Sequence, residues 1–157
     1  MLKKILLLAA LLTPAFFAHA YEYTIGELTI HHPWSMALPP NAPAVAAYFT
    51  IENNGDAADS LIGVESPLAG QAQFHEHVEV NGLMKMQQMQ AVEVAPHAKI
   101  SFAPMAYHVM LLDIKDRALL VSGQRFPLTL HFQKAGAIEV QVVVQRQAPE
   151  PQHHHQH

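Results

Sequence analysis

The sequence predicts an all-β protein, folded as an antiparallel β-sandwich or Greek-key barrel. The first observation is a period-2 alternation of apolar and polar residues, while helical periodicity is hard to find. Residues 138–144 place four apolar side chains on one strand face, and residues 128–132 and 49–51 follow the same pattern. The second observation is that turn signals recur between the runs, as at residues 53–55 and 81–82. Short strands joined by frequent turns are typical of this fold class.

The composition fits one packed domain and excludes several classes of function. The chain has 157 residues, of which 50% are hydrophobic and 14% are charged. It has no cysteine, which excludes disulfides, thiolate nucleophiles, zinc–cysteine sites and iron–sulfur clusters. Without Lys3 and Lys4, the chain has seven cationic and thirteen anionic side chains, which gives a net charge of −6 with neutral histidines. Nucleic acid is therefore not an expected partner. The unusual feature is the content of twelve histidines and seven methionines.

The chain divides into three expected segments. Residues 1–20 combine a basic start, an apolar stretch and an A-x-A cleavage site, which predicts a cleaved signal peptide and a periplasmic protein. The apolar stretch is shorter than the roughly 18 residues of a membrane span, so we expect no stable membrane insertion. Residues 21–145 form the predicted β domain. Residues 146–157 are rich in Gln, Pro and His, which predicts a disordered tail.

The Asn81-Gly82 dipeptide between alternating runs predicts a β-hairpin. A type I′ turn requires positive φ at both central residues, which Asn and Gly tolerate. With these two residues as the loop, His77 faces Met86 across the ribbon, with Cβ atoms about 5 Å apart. One face of the ribbon then carries His75, His77, Met84 and Met86.

A second histidine–methionine pair lies on the strand predicted for residues 106–112. His108 and Met110 are two residues apart, so they project to the same side of that strand. Two such faces can enclose a metal ion. Thioether sulfur is a soft, neutral ligand that favours copper(I) over magnesium, calcium or manganese, while imidazole suits both oxidation states of copper.

Each of these residues also has an ordinary structural explanation. A methionine in a strand more often fills a gap in the core than binds a metal. His97 and His131, on a turn and a polar face, are expected to be solvated. His31 and His32 are expected at a strand-end surface, with a second ligand pair as the alternative. The aromatic residues expected in the core are Trp34, Tyr48, Phe49 and Phe102.

The spacing of four residues resembles the motif of the PCuAC family of periplasmic copper chaperones, His-x10-Met-x21-His-x-Met. The residues that match it without a gap are His75, Met86, His108 and Met110. The resemblance to the family extends over nearly the whole β domain, as at residues 33–34, 41–48 and 82–86. The resemblance implies a cupredoxin-like antiparallel β-sandwich with the four motif residues as copper(I) ligands.

The same resemblance implies a copper carrier rather than an enzyme. Family members supply the copper-A centre of cytochrome c oxidase subunit II, often alongside Sco-type thioredoxin-like proteins, and these are therefore the expected partners. The family commonly has a Gly-rich turn before the second histidine, where this chain has Pro104-Met105-Ala106-Tyr107. Met105 is thus a candidate additional ligand, as are His77 and Met84 on the ribbon face. The tail resembles His-rich extensions of some members and predicts a copper(II) site at His153, His154, His155 and His157.

Three other functions are compatible with the sequence. A periplasmic copper-buffering or resistance protein would use the same site without an oxidase target. A copper oxygenase with an N-terminal histidine brace would need cleavage after Ala18 to expose His19, and Phe16 makes that cleavage poor. In a β-sandwich adhesion module, the histidines and methionines would be incidental.

Overall fold

The computed structural model describes residues 21–149, so the expected signal peptide and the tail histidines lie outside the described residues. The described part forms eleven β-strands and one turn of 3-10 helix at Arg117–Leu120, which confirms the all-β prediction. The strands are β1 (Glu22–Ile25), β2 (Leu28–Met36), β3 (Ala44–Asn53), β4 (Asp59–Glu65), β5 (Ala69–Val80), β6 (Leu83–Met89), β7 (Val92–Val94), β8 (Lys99–Phe102), β9 (His108–Ile114), β10 (Arg125–Phe132) and β11 (Gly136–Gln145). Between residues 21 and 149, no helix is long and apolar enough to cross a membrane.

The strands form one continuous hydrogen-bonded path in the order β6-β5-β9-β3-β2-β11-β10-β4-β7. Strand β1 also pairs with β2. Strand β9 pairs with residues 44–47 of β3, and β8 pairs with residues 49–52 of the same strand. Every strand ladder is antiparallel, as predicted, except the one between β2 and β11. A parallel pair cannot be joined by a tight hairpin. Here the two strands are separated by most of the domain, so no local sequence pattern indicates their pairing.

The alternating strands bury one side in a shared core. Along β3 every second residue is buried, and β10 shows the same alternation. Phe49 and Phe102 stack in this core with ring centroids 4.5 Å apart, and Trp34 is also buried, as predicted. Tyr48 differs from the prediction because it is only half-buried, with its ring 4.6 Å from that of Trp34. It alternates with Phe49 along β3 and therefore points to the opposite face.

Three histidines away from the hairpin, His31, His97 and His131, are paired with carboxylates. His31 lies between two of them, with Nδ1 3.0 Å from Glu22 Oε1 and Nε2 2.9 Å from Glu52 Oε2. The other pairs are His97 with Asp56 at 2.7 Å and His131 with Glu65 at 3.3 Å. The exposed pairs fit the surface positions predicted for His97 and His131. His31 differs from the predicted strand-end surface, because it lies within β2 and only 18% of its side chain is exposed.

Candidate metal site

The β5–β6 hairpin forms as the Asn-Gly turn predicts. Asn81 and Gly82 have φ values of 53° and 76°, the positive values that a type I′ turn requires. The register places His77 opposite Met86, which confirms the predicted pairing. All of β6 is exposed except Met89, which is partly buried against the core. The hairpin therefore presents its sulfur atoms at the surface.

Strand β9 supplies the second part of the site by pairing with the other edge of β5. His108 lies opposite His75, and Met110 lies opposite Gln73. Strand β5 is thus the middle of three strands, with the hairpin methionines on one side and His108 on the other. His108 is 3% exposed, whereas Met86 is 50% exposed. One ligand candidate is fixed within the sheet and the other remains accessible from solvent.

Side chains from all three strands meet above β5. The Sδ atom of Met86 lies 3.1 Å from Nε2 of His108. The imidazole rings of His75 and His77 each lie 5.4 Å from the His108 ring, measured between centroids. The structure therefore brings four sequence-predicted residues together and places His77 as close to His108 as His75 is.

The other candidate methionines lie around this group. Met110 is next to His108 along the same face of β9, one row further from the hairpin tip. Met84 lies opposite Glu79, nearer the tip than Met86, and is 51% exposed. The four residues of the sequence motif and His77 therefore share one sheet face, and Met84 continues that face towards the hairpin tip.

The site histidines are held in a form that can bind a metal. Burial lowers the pKa of His75. Burial also lowers the pKa of His108, with help from the nearby His75 and His77, although a hydrogen bond to the Ala106 carbonyl opposes the change. Neutral imidazole is the form that coordinates metals, and these shifts favour it at neutral pH. In addition, Nδ1 of His75 is buried and has no hydrogen-bond partner among residues 21–149.

The donor set indicates which kind of cation fits. Within residues 21–149, no group of three or more His, Cys, Asp or Glu side chains is arranged to hold a metal ion. A metal site at this face therefore depends on methionine as well as histidine. Uncharged imidazole and thioether ligands, without carboxylate or thiolate, suit a soft monovalent cation better than a hard divalent one.

Met105 occupies a strained turn immediately before β9. The N–H of Ala106 donates to the carbonyl of Ala103 at 3.0 Å, and Pro104 and Met105 are the central residues of that turn. Met105 has a φ of 66°, as the third residue of a type II turn requires, and glycine is favoured there. Its side chain is 63% exposed. The turn thus keeps the left-handed conformation that suits glycine, although the sequence departs from the Gly-rich pattern.

Replacing Met105 by glycine is expected to raise the free energy of unfolding by roughly 0.5–1 kcal/mol. A non-glycine residue in the left-handed region costs about 1–2 kcal/mol, and the greater freedom of glycine in the unfolded chain cancels part of this gain. Chemical denaturation measures the change. Met105→Ala is the control, because it removes the thioether and keeps the strain. A gain of equal size in the alanine variant would contradict the explanation.

Comparison with known families agrees with this architecture. Residues 28–144 match the family described as putative lipoprotein LpqE-like. The chain belongs to this family. A curated relative, the putative lipoprotein Lxx21020 of Leifsonia xyli subsp. xyli (strain CTCB07), is 31% identical over 100 residues, which are 63% of this chain. The match spans 59% of the length of that relative.

Solved structures of PCuAC domains have the same fold. The copper-bound PCuAC domain from PmoF2 is 29% identical with a TM-score of 0.69, and covers 81% of this chain and 99% of its own. The apo PCuAC domain from PmoF1 is 32% identical with a TM-score of 0.68, and covers 82% of this chain and 100% of its own. Apo-DR1885 from Deinococcus radiodurans, at 22% identity and a TM-score of 0.60, covers 94% of this chain and 97% of its own and shares the fold. These matches confirm the PCuAC resemblance and the cupredoxin-like fold class.

The sequence analysis missed one residue of this face, Gln73. It lies two residues before His75 on β5, so the period-2 pattern that grouped His75 with His77 also places Gln73 on the same side. Extending that pattern two residues towards the N-terminus would have found it. Its contact with His75 depends on side-chain conformations that the pattern does not give.

Proposed function

We propose that this protein is a periplasmic copper(I)-binding metallochaperone that uses His75, Met86, His108 and Met110 as ligands. The observation that carries the proposal is the 3.1 Å approach of Met86 Sδ to His108 Nε2. A borderline nitrogen and a soft sulfur from two strands that are not neighbours meet at the sheet face, beside His75. The likeness to a PCuAC domain solved with copper bound supports the same cargo here.

The uneven exposure of the ligands favours transfer rather than permanent storage. Copper(I) held by neutral ligands can be passed on by replacing one ligand at a time. An acceptor can first displace the exposed Met86, while the buried His108 still holds the ion. Acceptors that offer thiolates bind copper(I) more tightly than imidazole and thioether do, so the affinity gradient sets the direction.

An anaerobic titration tests the copper site. The mature chain, residues 21–157, competes for copper(I) with a chromogenic chelator. We expect tight binding of one copper(I) per chain, retained when the residues after Gln152 are removed. No competition with the chelator, or binding lost with the tail, would contradict the proposed site.

We propose that the acceptor is the copper-A centre of cytochrome c oxidase subunit II, with a Sco-type thioredoxin-like protein acting alongside. A strain that lacks this gene is therefore expected to lose oxidase activity at limiting copper and to regain it when copper is added. Unchanged oxidase activity would contradict delivery and favour copper buffering through the same ligands.

We also propose that the histidines of residues 153–157 bind copper(II) separately. Clustered imidazoles suit copper(II) without any thioether. Deleting the residues after Gln152 is expected to remove one copper(II) from the binding stoichiometry and leave copper(I) affinity unchanged, as measured by calorimetry. Equal copper(II) binding in the full and shortened chains would contradict a tail site.

A further inference from the structure

Within residues 21–149, Gln73 makes the only side-chain hydrogen bond of His75. It lies on β5, opposite Met110 of β9. Its Oε1 atom is 2.9 Å from Nε2 of His75. A carboxamide oxygen only accepts hydrogen bonds, so the ring nitrogen must be the donor.

This contact decides where the lone pair of His75 lies. A neutral imidazole carries one hydrogen, and with that hydrogen on Nε2 the lone pair is on Nδ1. The Nδ1 atom is buried and has no hydrogen-bond partner in the described part of the chain. A buried nitrogen acceptor without a donor is uncommon, and at this face it is the atom left free to bind a cation.

His108 differs from His75 because it has an accept-only atom near each ring nitrogen. Its Nδ1 lies 3.4 Å from the carbonyl oxygen of Ala106, and its Nε2 lies 3.1 Å from Met86 Sδ. Nε2 is therefore the His108 nitrogen next to the proposed methionine ligand. The nitrogen next to the methionine is thus Nε2 in His108, whereas the unpartnered nitrogen of His75 is Nδ1.

We infer that Gln73 is a positioning residue, which fixes His75 with its hydrogen on Nε2 so that Nδ1 binds copper(I). The inference rests on the proposed function and assigns the binding atom within it. Metal-binding histidines usually donate their second ring N–H to an acceptor that fixes the tautomer and the ring orientation. Here that acceptor lies two residues away on the same strand, β5.

Nitrogen NMR of the mature chain with 15N-labelled histidine tests this assignment. In the apo protein, we expect His75 to show a protonated Nε2 and a bare Nδ1. Adding copper(I), which is diamagnetic, should shift the Nδ1 resonance of His75 and the Nε2 resonance of His108. A protonated Nδ1 in apo His75, or a copper shift at its Nε2, would overturn the inference.

Three variants separate positioning from packing. Gln73→Leu keeps the side-chain bulk but removes the acceptor, so His75 should become a mixture of tautomers and copper(I) affinity should fall about 10–100-fold. Gln73→Glu keeps an acceptor oxygen and should retain the wild-type tautomer and at least the wild-type affinity. Gln71→Leu is the matched control on the same face, opposite Leu112, and should change neither measurement.

The outcomes distinguish this inference from the proposed function. The apo spectrum tests the tautomer without any metal, so an unchanged tautomer in Gln73→Leu overturns the role of Gln73. Absence of copper(I) binding in the wild-type chain, by contrast, overturns the proposed function itself.

Discussion

Replacing Met86 by leucine is expected to weaken copper(I) binding by at least about 100-fold. Mutating a residue that only supports a metal ligand typically lowers metal affinity about 10–100-fold. Because Met86 is proposed as a ligand itself, its loss should lower the affinity at least as much. Leucine matches methionine closely in volume and has no sulfur, so the change removes the soft donor that lies 3.1 Å from His108 Nε2. Competition with a chromogenic chelator under anaerobic conditions measures the affinity.

The hairpin offers a matched control for this experiment. Met84 is exposed to the same degree as Met86 and lies two residues away on the same face of β6, but it is opposite Glu79. Met84→Leu is expected to leave the affinity unchanged. Because both side chains are exposed, each variant should unfold within about 0.5 kcal/mol of the wild type. Equal loss in both variants would contradict Met86 as the specific ligand and point to a shared role of the hairpin.

The local part of the site could be predicted from the sequence because local chemistry determines it. The Asn81-Gly82 turn restricts the loop to two residues, and a two-residue loop fixes which residues face each other on β5 and β6. The alternation of side chains then gives the face of each residue. Both expectations are confirmed by the hairpin register.

The pairing of β5 with β9 could not be predicted from local sequence. It joins His75 to His108 across more than thirty residues that include β6, β7 and β8, and no turn sets that register. The sequence grouped the hairpin residues with His108 and Met110 only because their spacing resembles a family motif. The parallel contact between β2 and β11, and the half-exposed position of Tyr48, likewise depend on how distant strands pack.

No pattern in the sequence indicated that the carboxylate of Asp59 links β4 to the turn between β10 and β11. Asp59 begins β4 and is 7% exposed. Its Oδ1 accepts from the backbone N–H groups of Ser60 and Lys134, both at 2.8 Å, and its Oδ2 accepts from Ala135 N at 2.9 Å. The carboxylate thereby fixes the turn between β10 and β11 against the start of β4.

Asp59→Asn is expected to lower the free energy of unfolding at pH 7 by about 1.5–3 kcal/mol. Hydrogen bonds to a charged group contribute roughly this much to stability. In the variant, the NH2 group of the amide would also face a backbone N–H, which would place two donors next to each other. Thermal or chemical denaturation measures the loss. Asp56→Asn is the control, because Asp56 is exposed and its carboxylate pairs with the exposed His97, so it should change stability by less than about 0.5 kcal/mol.

The acid limb of the stability curve provides an independent check on Asp59. Burial raises the pKa of Asp59, but its three backbone hydrogen bonds and the nearby Lys134 outweigh burial, so the pKa lies below the ordinary value of 3.8. A lowered pKa in the folded state stabilises the protein above the unfolded pKa, and this contribution is lost as pH falls through the folded pKa. The wild type should therefore lose stability below about pH 4 more steeply than Asp59→Asn, so the two curves converge in acid. Parallel curves would show that the carboxylate charge does not provide the stabilisation.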